Sequence, residues 1–519
     1  MRAPSGPWRA RGLAALAGLL LACSLPPLGL WWLTFGALVI LGAVLPHERP
    51  REGFLRGWLT GSVASGMVGL WLLDLVPRFT NLPKALGVLL WLLAALFMGL
   101  GLALAGLLAS LTRKVLPTPV ALGASLWAAE RFGPQLFPYP LALTLVDAPY
   151  LAQSGDVLGV NGLGAVLLGC AGAFALGARE RRWTRGCSAA ACVALALVAY
   201  GFVRERAVRR AMARSARWSV ALVQPSVPAT LRWEDSMRVP ILRHLQQLTE
   251  DARKAPTDLV VWHEGAYPYP LAFRAGRDGQ EYPAALQGPG APWLVFGAAA
   301  LGADGWLRNA AFVRSPDGAL AEPVAKRELI PFGERIPLLG GIPWVRDAFS
   351  RALGMTAGDR PELLPVRGLT VGILNCFEDT VPRSGAEVAR ADLLVNITNS
   401  AWFDGPGGPG EPPPDGVWFL SWRNAAGRQH LVQARWRAIE ARRDLVRAVN
   451  TGPSAHVNAL GEVERRSFPT HPWVLRVSPR VGLGLSPVAP GVVLWGPWAS
   501  ALVLAGALAE RLRRRLRAR

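Results

Sequence analysis

The chain has 519 residues, 51% of them apolar and only 18% charged, with 56 glycines and five cysteines. High apolar and low charge content exclude a disordered chain, and cysteines that mostly sit inside apolar runs exclude a disulfide-stapled scaffold. Lys and Arg outnumber Asp and Glu by 56 to 36, a net charge of +20, so the chain is either a nucleic-acid binder or a membrane protein with basic loops.

In chain order, apolar runs occupy roughly residues 12–24, 28–45, 57–76, 86–112, 117–132, 157–178, 187–203 and, after a long interval, 488–508. A transmembrane helix needs about 20 mostly apolar residues. The runs at 86–112, 157–178 and 488–508 meet that on their own. The run at 117–132 is the weakest, because it holds Pro117, Pro119 and the Glu130-Arg131 pair. The reading is a multi-pass α-helical membrane domain of about eight spans, seven before residue 204 and one after 487. Arg9 and Arg11 followed by Leu20-Leu21-Ala22-Cys23 have the form of a lipoprotein signal peptide. Further spans follow at once, so the segment is read as a short first span joined to the second through Pro26-Pro27.

Arginine placement gives an orientation, since cytoplasmic loops are enriched in Lys and Arg. Arg2, Arg9 and Arg11 precede the first run; Arg49, Arg51 and Arg56 follow the second; Arg113 and Lys114 follow the fourth. Arg179, Arg181, Arg182 and Arg185 follow the sixth, six arginines lie between 511 and 519, and the loop around 134–156 has no basic residue. Seven spans from a cytoplasmic N-terminus place 204–487 outside and return the basic tail inside. Arg204, Arg206, Arg209, Arg210, Arg214 and Arg217 run against this pattern, which long translocated segments tolerate. The expected organisation is a membrane domain at 1–203, a basic connector at 204–217, a water-soluble domain at 218–480, and an eighth span with a basic tail at 481–519.

Within 218–480 short β-rich runs recur at 219–223, 258–262, 293–298, 310–314, 369–374, 392–397 and 445–449, with helical stretches at 239–254 and 429–443. Alternation of this kind predicts a layered α/β domain, and the continuously apolar runs predict strands buried on both faces. Three strand ends carry chemistry. One ends at Glu264, one at Cys376-Phe377-Glu378, and one at Asn399-Ser400-Ala401-Trp402-Phe403. Open α/β sheets bind ligands outside the carboxyl ends of their strands.

Cys376 is the only cysteine in this segment. A lone cysteine is by default a small buried hydrophobe; as a nucleophile it needs a base. His263, His430, His456 and His471 are available, and so is Glu264. His263 and Glu264 are neighbours, and on a regular strand only one of the two faces the site. Glu264 has the better claim, because Lys326, with Glu334 on the Pro-Gly loop behind it, supplies a cation and a second carboxylate.

Glu264, Lys326 with Pro331-Phe332-Gly333-Glu334 after it, and Cys376-Phe377-Glu378 resemble the Glu-Lys-Cys triad of the nitrilase superfamily. With spans on both sides, the chain is similar to the apolipoprotein N-acyltransferase family. Ala221-Leu222-Val223-Gln224 leading to Trp233, Asn399 to Phe403, Gln429-His430, Ala434 to Glu440, and Ala448 to Gly452 match further motifs of that family, and Glu130-Arg131 resembles its Glu-Trp-Leu-Arg element. The resemblance implies an extramembrane nitrilase-like α-β-β-α sandwich in a bacterial inner-membrane protein, with the sandwich on the periplasmic side. It also implies a ping-pong acyl transfer. Glu264 activates Cys376, which takes an acyl chain from a phospholipid as a thioester. Lys326 and the backbone N–H of Phe377 hold the oxyanion, and the α-amino group of a diacylglyceryl apolipoprotein accepts the chain. Glu334 and Glu378 support the triad. Separately from the resemblance, a thioester must be kept from bulk water, so Trp233, Trp402, Trp344 and Phe349 are expected to cover the site and contact lipid substrate. No cofactor, metal or nucleic-acid partner is implied, and the protein is expected to be a monomer.

Four departures from the family pattern stand out: His263 for a proline, Phe377 for a tyrosine, Ser400 for an aspartate, and a Gly/Pro-rich insertion at 404–428. Two other functions fit parts of the sequence. A membrane-tethered amidase would use the same triad with water as acceptor, and a transporter would use the spans with an outer domain. Nucleic-acid binding fits least, because the arginines cluster at span ends. Replacing Lys326 by Met is expected to slow thioester formation with little loss of folding.

Overall fold

The computed structural model describes residues 7–73, 75, 83–181, 183–228, 231, 234–273, 291–331, 333–335, 354–361, 363–403, 425–467 and 471–518. The chain divides into two compact units. One comprises Met1–Leu70, Val88–Ala207 and Pro487–Arg519; the other comprises Trp71–Gly87 and Val208–Ser486.

All eight apolar runs overlap helices, Pro7–Cys23, Leu33–Val44, Pro50–Val68, Lys84–Thr112, Thr118–Phe132, Gly155–Glu180, Arg185–Arg214 and Ala489–Arg517, although the third helix ends at Val68, short of the end of its run at 76. Among the described residues, four helical segments of 28 to 30 residues (Ala85–Thr112, Leu151–Glu180, Arg185–Arg214 and Ala489–Arg517) are long and apolar enough to cross a membrane. At 1.5 Å per residue they reach about 42–45 Å, against a hydrocarbon core of about 30 Å. The others are shorter or, like Pro50–Val68, carry charges within the helix.

Glycine is abundant partly because two of these helices touch backbone to backbone. Gly53, Gly57 and Gly61 recur at four-residue spacing on Pro50–Val68. A Cβ on Gly57 would lie 2.1 Å from the Leu102 carbonyl oxygen, and one on Gly61 would lie 2.8 Å from Gly99 Cα. Small residues at this spacing give helices in lipid the close packing that hydrophobic burial cannot supply there. Glu130 accepts hydrogen bonds from the Leu141 N–H and Asn161 Nδ2, both at 2.7 Å, whereas Arg131 is exposed and lies over the Phe132 ring. The expected connector 204–217 is largely helical, since Arg185–Arg214 continues past the end of the apolar run at Val203. Two of its arginines are paired. Arg204 lies 2.6 Å from Asp156, and Arg209 meets Glu462.

The second unit is a four-layer sandwich. One sheet runs Val463–Arg466, Ala455–Val457, Leu445–Val449, Leu393–Thr398, Leu369–Asn375, Leu363–Val366 in spatial order. Its three central strands are parallel. The other runs Trp473–Val477, Val220–Gln224, Leu259–Val261, Trp293–Leu301, Leu307–Arg314, Val324–Ala325, with Leu271–Ala272 beside Trp293–Leu301. Its parallel centre is the second to fourth of these. Alternate residues explain the packing. Val220 and Leu222, Val371 and Ile373, and Leu393, Val395 and Ile397 fill the core between the sheets. Ala221 and Val223 turn outward under Ile241 and Leu245 of the helix Arg238–Arg253. Leu394 does the same under Leu431, Ala434 and Ala438 of the helix Ala426–Ala441. With both faces covered, the strands read as unbroken apolar runs.

Candidate active site

The carboxyl ends of strands in both sheets carry the reactive side chains. Glu264 lies three residues past Leu259–Val261, Lys326 directly follows Val324–Ala325, Cys376 follows Leu369–Asn375, and Asn399 follows Leu393–Thr398.

Because its strand stops at Val261, Glu264 sits in a turn. The alternation that sets His263 against Glu264 on a regular strand does not apply, and both side chains are buried. The turn is seated on Gly297 of the neighbouring strand. A Cβ there would lie 2.3 Å from the Gly265 nitrogen and 2.7 Å from Glu264 Cα. Gly297→Ala is therefore expected to lower stability by roughly 1–3 kcal/mol through overpacking against backbone. Thermal melting reads the loss, and an unchanged melting temperature would show that the turn moves aside freely.

Lys326 has no exposed surface, and its Nζ lies 2.8 Å from Glu264 Oε1 and 2.9 Å from Glu334 Oε2. Burial alone would push this ammonium down, but the two carboxylates outweigh burial and hold it well above the ordinary lysine value. Asn309 completes the cluster. Its Nδ2 donates at 2.7 Å to Glu264 Oε1 and at 2.7 Å to Glu334 Oε1, and its Oδ1 accepts from Asn375 Nδ2 at 3.2 Å. Carboxylates only accept, which fixes the orientation of the Asn309 amide. The other oxygen of Glu264 takes the Asn399 N–H at 3.0 Å, and the Ile330 N–H donates to Glu334 Oε2 at 3.0 Å.

Cys376 is buried in contact with this cluster. Burial first, and then the Glu264 carboxylate, push its thiol well above the ordinary value, while Lys326 pulls it only partly back. The resting group is thus a neutral thiol hydrogen-bonded to Glu264. Its backbone φ is +51°, a left-handed conformation that costs a non-glycine residue roughly 1–3 kcal/mol and persists only where the surroundings enforce it. Glu378 is one such constraint. It takes the Arg327 N–H at 2.8 Å on one oxygen and the Asn375 N–H at 2.9 Å on the other. Burial raises the Glu378 carboxyl, and these two donors draw it part of the way back. Glu378 thereby ties the segment after Lys326 to the turn that holds Cys376.

The structure thus brings together Glu264, Lys326, Glu334, Cys376, Phe377 and Glu378. Trp233, Trp344 and Phe349 lie outside the described residues, as do residues 404–424 of the insertion. Trp402 stands in the turn Ser400–Phe403, its side chain outside what is described. Sequence reasoning did not find Asn309. Its one available signal is an asparagine inside a strand, Leu307–Arg314, where that residue is depleted.

A buried thiol beside a carboxylate and an ammonium has the parts that nucleophilic chemistry by a cysteine needs. Residues 17–173 match the apolipoprotein N-acyltransferase N-terminal domain. The chain is 30% identical over 484 residues to the apolipoprotein N-acyltransferase of Azotobacter vinelandii, covering 88% of this chain and 87% of that one. It is 29% identical over 505 residues to that of Geobacter metallireducens, covering 91% and 90%. Among solved structures, a carbon-nitrogen hydrolase from Helicobacter pylori G27 is similar at 18% identity and a TM-score of 0.36, covering 51% of this chain and 89% of that one. The chain belongs to the apolipoprotein N-acyltransferase family.

Proposed function

We propose that this protein transfers an acyl chain from a membrane phospholipid, through Cys376, to the N-terminal α-amino group of diacylglyceryl-cysteine apolipoproteins. The observation that carries this reading is the buried Glu264–Lys326–Glu334 cluster around the Cys376 thiol, in a chain of this family. Glu264 takes the thiol proton as sulfur attacks the ester carbonyl, forming the C–S bond. Two of the three Lys326 N–H donors face carboxylates. The third, with the Phe377 N–H, stabilises the oxyanion; one such donor contributes roughly 3–4 kcal/mol at the transition state. Collapse breaks the ester C–O bond, and the departing lyso-phospholipid oxygen takes the proton from Glu264. In the second half the α-amine attacks the thioester and gives a proton to Glu264. Sulfur then leaves with that proton, so the thiol is restored and an amide remains. Glu334 holds Lys326 in place, and Glu378 holds the nucleophile turn.

The same reading places eight spans in the bacterial inner membrane, the sandwich on the periplasmic side, and the enzyme as a monomer. In this reading Trp233, Trp344, Phe349 and Trp402 contact the lipid substrate. The apolar runs, the basic tail and the arginine-free loop around 134–156 support this orientation.

The test uses purified protein and phospholipid alone. Mass spectrometry is expected to find a hydroxylamine-labile acyl group on Cys376, which a diacylglyceryl lipopeptide then removes as its N-acyl product. Release of free fatty acid in place of lipopeptide acylation would instead make the protein a hydrolase.

A further inference from the structure

Beneath the nucleophile lies a buried polar cluster that the mechanism above does not use. Arg447 Nη1 lies 2.6 Å from Asp379 Oδ2 and 2.6 Å from Asn396 Oδ1, and its Nη2 lies 3.0 Å from His430 Nδ1. Arginine only donates, so His430 Nδ1 accepts, and the ring proton is on Nε2. That N–H faces Asp379 Oδ1 and, at 3.2 Å, the carbonyl oxygen of Cys376. Asn396 in turn donates from Nδ2 to the Leu374 carbonyl at 2.9 Å. Every member is buried. Burial and the Arg447 charge both lower the His430 pKa against the pull of Asp379, which agrees with a neutral ring.

We propose that His430, held by Asp379 and Arg447, is a positioning residue for the oxyanion site: by binding the Cys376 carbonyl it fixes the direction of the Phe377 N–H. The carbonyl of Cys376 and the N–H of Phe377 belong to one planar trans peptide and point in opposite directions. Pinning one end therefore aims the other. The constraint matters because Cys376 holds a left-handed φ, from which the peptide would otherwise relax. Arg447 makes the arrangement one-way, since its guanidinium can only meet an unprotonated Nδ1 and so keeps the proton on the side of Cys376. The inference rests on the acyl-transfer reading and specifies how its oxyanion site is built.

Two amide variants of the full-length protein test it. His430→Gln places an amide N–H near the position of Nε2, while His430→Asn ends near Nδ1 and offers nothing to the Cys376 carbonyl. Single-turnover acylation by phospholipid is measured against phospholipid concentration. Labelling of the thiol by methyl methanethiosulfonate, which develops no oxyanion, is measured alongside. His430→Asn is expected to lower the maximal acylation rate by about 10- to 100-fold, the scale of a misplaced oxyanion donor. The half-saturating phospholipid concentration and the labelling rate should stay within about twofold, and His430→Gln should recover most of the loss. Equal acylation rates in the two variants, or a parallel fall in acylation and labelling, would overturn the proposal. A wild-type protein that forms no acyl group on Cys376 would instead overturn the acyl-transfer reading itself.

Discussion

Cys376→Ala is expected to abolish the acyl adduct formed with phospholipid while leaving the protein folded. Loss of a covalent nucleophile in a comparable catalytic unit lowers turnover by about 10⁶-fold, so no residual signal should survive in an assay of ordinary range. Cys376→Ser is expected to be as inactive. A hydroxyl is a far weaker acid than a thiol, and this carboxylate already faces a thiol raised by burial. Folding should change little, since replacing cysteine by alanine removes one buried sulfur. The backbone adds a control. Because φ at this residue is +51°, Cys376→Gly should melt no lower than Cys376→Ala. An acyl adduct of unchanged mass and yield in Cys376→Ala would remove this residue from the chemistry.

Lys326→Met is expected to stop thioester formation and to destabilise the domain severely. From the sequence alone the replacement is expected to slow thioester formation and, in its second part, to cause little loss of folding. The structure reverses that part, because the ammonium has no exposed surface and stands between two carboxylates. Removing one partner of a buried ion pair costs about 3–5 kcal/mol, a large share of the 5–15 kcal/mol that typically holds a domain. In the variant, Glu264 and Glu334 lose their cation while both stay buried. In the wild type the raised Lys326 contributes stability that is kept until pH climbs past the ordinary lysine range. Equal melting of the two proteins at pH 8 would contradict the buried, doubly paired ammonium.

Much of the architecture is legible in the sequence because burial writes it there. All seven β-rich runs are strands, and both helical stretches are helices, with ends shifted by a few residues. Strands covered on both faces leave a continuous apolar trace. Two of the strands outside those runs leave no such trace. Leu363–Val366 contains Pro365, which argues against a central strand, and it is in fact the last strand of its sheet, where proline is tolerated. Val463–Arg466 is mostly exposed and reads Val-Glu-Arg-Arg. Glu264, Lys326 and Cys376 are found because reactive types stand at strand ends in an order similar to that of a known family. Asn309 leaves only the trace of an asparagine inside a strand, and the Asn399 N–H leaves none, since what they contribute is a direction fixed by tertiary structure.

The pairing of the two sheets through this site has a consequence for how activity appears during biogenesis. Glu264, Asn309 and Lys326 come from one sheet, and Cys376, Asn375 and Asn399 from the other; Asn399 to Glu264 and Asn375 to Asn309 are hydrogen bonds across the divide. On the proposed mechanism, a chain in which only one sheet has formed holds either the base without the thiol or the thiol without the base. Catalytic competence and the docking of the two halves would then be a single event, and a half-assembled molecule would load no acyl chain.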